Sequence, residues 1–413
     1  MTSRRLRAAR RREQLEKPQY GWIWKPLLVL LIAALVVMAG LGIWWNMTPR
    51  AFDVEAATEQ QRGSLVLDKR GAVSVATLKQ LLDTLQDKPG GYLRDDILPP
   101  GLVMDNMPSW EWGVLRQSQV MSHSLATLDP QGAPSIESLD AVMRGNADNW
   151  LISSTGKQLK TARGQVNDYL QAFSESGSGA FEASGKGMAD WLAAARTELT
   201  PVTERLSASV GDADMLRELG IEVPESADVA WYRVDNDLHQ ARGQAWALLH
   251  LMEAMLRDQR DVITAAGMLQ QWQRVQAELQ RTQRHLWSPV VLRGSGFGVF
   301  ANYPLTMAHH LTRIDESLVE LEAGLAAAPD MPQDQAGGKQ STEAAQPQPG
   351  SSGGEGQQLD SEQHSTPEAT GAGGESTEPE EESTGAGKES TGAEKESTGD
   401  EGEPAETSSE QHS

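Results

Sequence analysis

Apolar positions recur every three or four residues along much of this chain, and one run has no charged side chain at all. Near the end of the folded part, Leu305, Ala308, Leu311, Ile314, Leu318, Leu321 and Leu325 form one stripe at helical spacing. Over 262–286 the stripe is Ile263, Ala266, Leu269, Trp272, Val275, Leu279, Thr282 and Leu286. Over 229–256 it is Trp231, Val234, Leu238, Ala241, Ala245, Leu248, Met252 and Met255. A fourth stripe, Leu159, Ala162, Val166, Tyr169 and Phe173, and a looser fifth, Trp191, Ala195, Leu199, Val202 and Leu206, complete the set. Strand candidates are two short runs, 63–67 and 289–292, with no partners to make a sheet.

Helix ends are marked by capping and breaking residues. Ser74 is placed to cap a helix holding Val75, Leu78, Leu81, Leu82 and Leu85, which Pro89-Gly90-Gly91 stops. Pro108-Ser109 precedes a helix from Trp110 to near Leu128, and Pro134-Ser135 precedes one from Ile136. Thr200-Pro201 predicts a break or kink in a helix over 188–210. Gly220 ends a short helical turn begun near Asp212. Residues 174–187 and 293–298, rich in glycine and serine, read as loops. The expected fold is all-α: seven to nine helices packed as a bundle.

The uncharged run covers 27–43 (LLVLLIAALVVMAGLGI). As a helix it spans about 26 Å, close to the roughly 30 Å of a bilayer core. Trp22 and Trp24 precede it and Trp44 and Trp45 follow it, at the spacing of two membrane interfaces. A buried core helix rarely carries such pairs. A cleaved signal peptide has an apolar region of about 7–15 residues and a small-residue cleavage site, whereas this run is longer and ends in Ile43, Trp44 and Trp45. It reads as a single uncleaved anchor.

Charge then divides the chain. The net charge is -22, composed of +6 over 1–25, -12 over 26–330 and -16 over 331–413. Flanking Lys and Arg stay on the cytoplasmic side, so the N-terminus is expected in the cytoplasm and everything after Trp45 outside; in a Gram-negative host this is a bacterial inner-membrane protein with the rest in the periplasm. The expected domains are a basic cytoplasmic leader (1–25), a transmembrane anchor (26–45), a helical periplasmic domain (46–330) and a disordered acidic tail (331–413). About 25 cytoplasmic residues are too few for a folded output domain. In the tail, ESTGAGK, ESTGAEK and ESTGDEG repeat every seven residues, but Ser, Thr and Gly fill the positions where a coiled coil needs apolar side chains. The acidity excludes a nucleic-acid partner. The absence of cysteine excludes disulfides, Cys-ligated zinc and a thiol nucleophile.

Searches for chemistry return little. Residues 296–301 fit G-x-G-x-x-A, but Pro304 stands where the following helix should already run. Residues 350–354 fit G-x-S-x-G inside the tail, where no strand–turn–helix elbow exists. No His pair makes a metalloprotease motif, and the adjacent His309 and His310 point about 100° apart on a helix. No catalytic, cofactor-binding or metal residue is assigned. The most unusual stretch is 95–113 (DDILPPGLVMDNMPSWEWG). Its prolines and Asp/Asn turn residues predict an ordered crossover. Asp105, Asn106, Pro108, Trp110 and Glu111 are the candidate contacts for an envelope protein partner.

At this stretch the sequence resembles a bacterial membrane-protein family, domain of unknown function 2333. The likeness rests on Leu98-Pro99-Pro100-Gly101 with Asp105-Asn106-Met107-Pro108, on Ala227-Asp228 with Trp231-Tyr232-Arg233-Val234, on Gln244-Ala245-Trp246-Ala247-Leu248-Leu249, and on Gly298-Val299-Phe300-Ala301-Asn302-Tyr303. It covers roughly 50–325. The resemblance implies a single N-terminal span and a helical extracytoplasmic region, and it supplies no activity. The favoured function is a non-enzymatic envelope scaffold or accessory protein. Two alternatives stand beside it: a peptidoglycan or lipid hydrolase using acids among Asp95, Asp96, Asp105 and Glu111, and a helical module binding a small ligand. The pattern sets no oligomeric state.

Overall fold

Eleven α-helices account for most of the described residues, and none of those residues lies in a strand. The computed structural model describes residues 20–63, 65, 67–96, 98–132, 135–144, 155–174, 180–209, 233–284 and 303–328. These belong to the first of two units, Met1–Ser341; the second, Thr342–Ser413, lies outside them. The leader before residue 20, the motifs at 296–301 and 350–354, the strand candidate 289–292 and the turn ending at Gly220 also fall outside the described residues.

The helices are α1 (Tyr20–Trp45), α2 (Val54–Arg62), α3 (Ala72–Asp87), α4 (Asn106–Leu128), α5 (Ser135–Arg144), α6 (Thr155–Ser174), α7 (Gly185–Ser209), α8 (Val234–Asp258), α9 (Arg260–Ala265), α10 (Leu269–Thr282) and α11 (Tyr303–Ala326). The sequence stripes are the core. Ala308, Leu311, Ile314, Leu318, Leu321 and Leu325 of α11 are buried, as are Leu159, Ala162, Val166, Tyr169 and Phe173 of α6. α8 is the central element: residues 241–252 are buried on every side, as a helix surrounded by neighbours requires. It packs on α3, α4, α7 and α10, while α11 covers α7 and α10.

The closest crossing joins α4 to α8. A Cβ on Gly113 would lie 2.1 Å from the Gln240 carbonyl oxygen, and one on Gly243 would lie 2.1 Å from that of Trp110. The two backbones therefore touch, and only hydrogen fits at both positions.

Three local expectations change. The 262–286 stripe is split into α9 and α10 at Gly267, whose φ is +71°. Met268 N–H donates to the Ile263 carbonyl and Gly267 N–H to that of Thr264, the bond pair of a Schellman stop, for which glycine is the least strained residue. Ser74 does not cap α3, because the helix begins two residues earlier. Its first amides are taken by Asp258, far away in sequence at the end of α8, which accepts from Ser74 N–H at 2.7 Å and from the Ser74 hydroxyl at 2.7 Å. α7 runs unbroken through Pro201, with Leu199, Val202 and Leu206 buried on one stripe against the bundle. The short helix α2 was not expected; Asp53 caps it by accepting from Ala56 N–H at 2.9 Å.

The crossing sets a test. Gly113→Ala and Gly243→Ala should each cost about 3 kcal/mol or more in urea unfolding of the full chain in detergent. Gly164→Ala, in the middle of α6 with open space around the new methyl, should stabilise by about 0.5–1 kcal/mol. Equal effects at all three positions would remove the close-contact account.

Candidate functional site

The site is the junction where α1 meets the bundle. From Trp24 to Trp44 the helix is apolar apart from Lys25 and lies outside the packed core. Trp24 and Trp44 are exposed; the Trp22 side chain lies outside the described residues. Trp45 behaves differently, because it packs on the core. A Cβ on Gly90 would come within 2.9 Å of its ring, so the Gly90 turn is the surface on which Trp45 rests.

That turn is held from beneath by Glu111. Its carboxylate is fully buried and pairs with Lys88 Nζ at 2.6 Å. It also accepts from Leu93 N–H at 2.9 Å and from Arg94 N–H at 2.9 Å, while Lys88 donates to the Gly91 carbonyl at 2.6 Å. Burial pushes the Glu111 carboxyl upward, and the Lys88 ammonium and the two amides oppose that shift. Residues 88–94 are thus tied at both ends to one α4 side chain.

A second tie follows α1 by a few residues. Phe52 N–H donates to His250 Nε2 at 3.0 Å, and His250 Nδ1 lies 2.7 Å from the Trp246 carbonyl. This pair of partners assigns a neutral imidazole with its proton on Nδ1. The Phe52 ring stacks on His250 at 3.9 Å and meets Trp246 edge-on at 5.5 Å, and Trp246 lies 5.1 Å from Trp110.

The crossover between α3 and α4 lies beside α1. Residues 98–104 contain a cis Pro99-Pro100 bond and one 3-10 turn, Gly101–Val103. A groove of about 670 Å³ opens between this loop and the last turns of α1; Leu35, Met38, Ile43, Pro100 and Val103 form its apolar walls, and Asn46, Asp105 and Asn106 its polar end. Of the five candidate partner contacts, Asp105 and Asn106 are accessible at the start of α4, while Pro108, Trp110 and Glu111 are buried inside the bundle. The 95–113 stretch is therefore part loop and part helix, and its most distinctive side chains serve the junction. The segments with Leu98 and Asp105 flank the groove, and the segment with Trp246 meets α4 at Trp110.

The match to a bacterial family extends over residues 17–327, from within the leader through the end of α11. The chain belongs to domain of unknown function 2333. The family is described as uncharacterised protein conserved in bacteria. No curated protein and no solved structure matches the chain.

The four acids named for a hydrolase differ in setting, and Asp105 is exposed at the start of α4. Glu111 is enclosed, and Asp95 accepts from Gly156 N–H at 2.9 Å at the start of α6. Asp96 packs against Gly101. Among the described residues no three His, Asp or Glu side chains are grouped to hold a metal ion. His310 pairs with Glu278 at 3.0 Å, and its ring is 5.8 Å from that of His309. Sequence reasoning missed Lys88 and His250, because their partners are distant or backbone groups. It also gave no sign that the Trp45 ring rests on Gly90.

Two measurements follow. Glu111→Ala leaves a buried ammonium and two amides unpaired and should cost about 3–5 kcal/mol. Glu111→Gln keeps an acceptor for the amides and should cost less; equal losses would mean that the amide contacts contribute nothing. The His250 proton gives a pH signature. Burial holds His250 down at about 4, against about 6.5 in the unfolded chain. As pH falls from 6.5 to 4 the unfolded state binds this proton and the folded state does not, so stability is lost by up to about 3 kcal/mol. His239, also held at about 4, acts in the same sense; Asp235 and Asp258, raised to about 6, act in the opposite one. The His250 share is therefore read as the difference between wild type and His250→Gln, which should shrink toward pH 4. A difference independent of pH would show that His250 is not neutral in the fold.

Proposed function

We propose that this chain is a single-pass inner-membrane protein whose helical domain acts in the periplasm as a non-enzymatic scaffold or accessory of an envelope complex. The observation that carries the reading is the junction. One long apolar helix stands clear of the core up to its last residue, Trp45, which rests on the Gly90 turn, and Phe52 shortly after it is fastened to the buried His250. A domain tied so closely to its span is suited to holding partners at a fixed place on the membrane. The +6 leader orients the chain with residues 1–25 in the cytoplasm. The acidic 331–413 segment acts as a solvated appendage or spacer. The hydrolase reading loses ground because Glu111 is enclosed and Asp95 holds a helix start.

The test has two parts. A reporter active only in the periplasm, fused after residue 330, should be active; activity of a cytoplasmic reporter at that point would overturn the topology. Crosslinking in native membranes followed by mass spectrometry should return envelope proteins that recur in repeated preparations, joined through exposed residues of the 46–330 domain. Recovery of the chain without partners would overturn the scaffold reading.

A further inference from the structure

Exposed large apolar side chains outside α1 are few among the described residues: Met47, Leu98, Leu102, Val103 and Val319. Three of the five belong to the 98–104 loop, with Leu98 71 %, Leu102 60 % and Val103 76 % exposed. The loop lies against the bundle-side end of α1, where Pro100 approaches Gly42. Its backbone is prepared for an apolar medium. Pro99 and Pro100 have no N–H, and the amides of Leu102, Val103 and Met104 donate to the carbonyls of Leu98, Pro100 and Gly101 at 3.0–3.1 Å. Met104 fastens the loop to the bundle, and Gly101 packs on Asp96 within the crossover itself. Between Arg94 and Arg116 there is no basic residue, so nothing in the loop is set to meet a phosphate by charge.

From this placement we infer that residues 98–104 form a second membrane-contact element, immersed in the leaflet on the bundle's side, and that a lipid acyl chain fills the groove between the loop and α1. The occupant follows from the wall. Leu35, Met38 and Ile43 are residues of the spanning helix itself, so a groove built on them opens into the hydrocarbon around that helix. Its polar end at Asn46, Asp105 and Asn106 then lies at headgroup level. The inference rests on α1 crossing the membrane, as proposed above.

The chain has no cysteine, so single nitroxide labels report cleanly. Leu102→Cys, Val103→Cys, Val36→Cys on α1 and Val319→Cys on α11, each in the full chain and each at an exposed position, are labelled and placed in vesicles of phosphatidylethanolamine and phosphatidylglycerol. Collision with oxygen, which concentrates in lipid, is compared with collision with a water-soluble nickel chelate. At 102 and 103 the oxygen-to-nickel ratio should match that at 36 and exceed that at 319 several-fold. Ready access of nickel at 102 and 103, with 36 still in lipid, would overturn the inference and leave the anchor standing. Exclusion of both agents at 102 and 103 would mean that a protein, a second copy included, covers the loop, and would also overturn it. Nickel access at 36 would overturn the anchor and the inference together.

Discussion

The junction depends on one carboxylate with no contact with water. Glu111 stands one turn into α4, and its two oxygens collect an ammonium and two amides from the segment that follows α3. A buried ion pair seldom adds net stability, because both charges lose their water. What it fixes here is shape. Gly90 and Gly91 turn the chain locally, and the Glu111 carboxylate fixes where that turn sits under Trp45. The exit of the apolar helix is therefore set by a side chain 66 positions after Trp45 in sequence.

The second tie reaches the same place from another direction. His250 is buried in α8, accepts from Phe52 N–H, and stacks on the Phe52 ring. One turn earlier, Trp246 meets Trp110, the neighbour of Glu111. Both ties thus end at the α4–α8 crossing, where Gly113 and Gly243 let the backbones touch. Moving that crossing by the width of one methyl group would shift the Trp110–Trp246 pair and both anchor points together. Packed interiors transmit such displacements because they have little free volume.

Much of the fold was legible because it is periodic. The α6, α7 and α11 stripes are buried along most of their length, and Pro89-Gly90-Gly91 follows the end of α3 as expected, whereas α4 begins at Asn106, two residues before the Pro108 that was expected to precede it. The failures share a cause. Asp258 replaces Ser74 as the cap of α3 through a bond between residues 184 positions apart, and no local pattern encodes that pairing. Gly267 was visible, but the apolar stripe continues across it, and periodicity alone does not weigh one left-handed residue against eight in register. In the site, the unusual composition of 95–113 pointed to an ordered crossover, and its second half is the start of α4. Its meaning divides with burial: Trp110 and Glu111 organise the junction, whereas Leu98, Leu102 and Val103, none of them a candidate contact, are the ones left exposed.

That division bears on how the domain stands at a membrane. A span fastened to its domain fixes the domain relative to the helix, and a second contact with the bilayer limits how far the pair can tilt. Electrostatics would not provide it. The region from 26 to 330 carries -12 and the tail -16, so an anionic lipid surface repels both, and no basic residue lies between Arg94 and Arg116 to oppose this. A contact through the 98–104 loop must be apolar, and withdrawing a leucine or valine side chain fully from water contributes about 1.5–3 kcal/mol. Three such side chains, on a turn whose amides are largely satisfied internally, are enough to hold one face of the bundle toward the bilayer against a modest repulsion screened within about 8 Å at physiological salt.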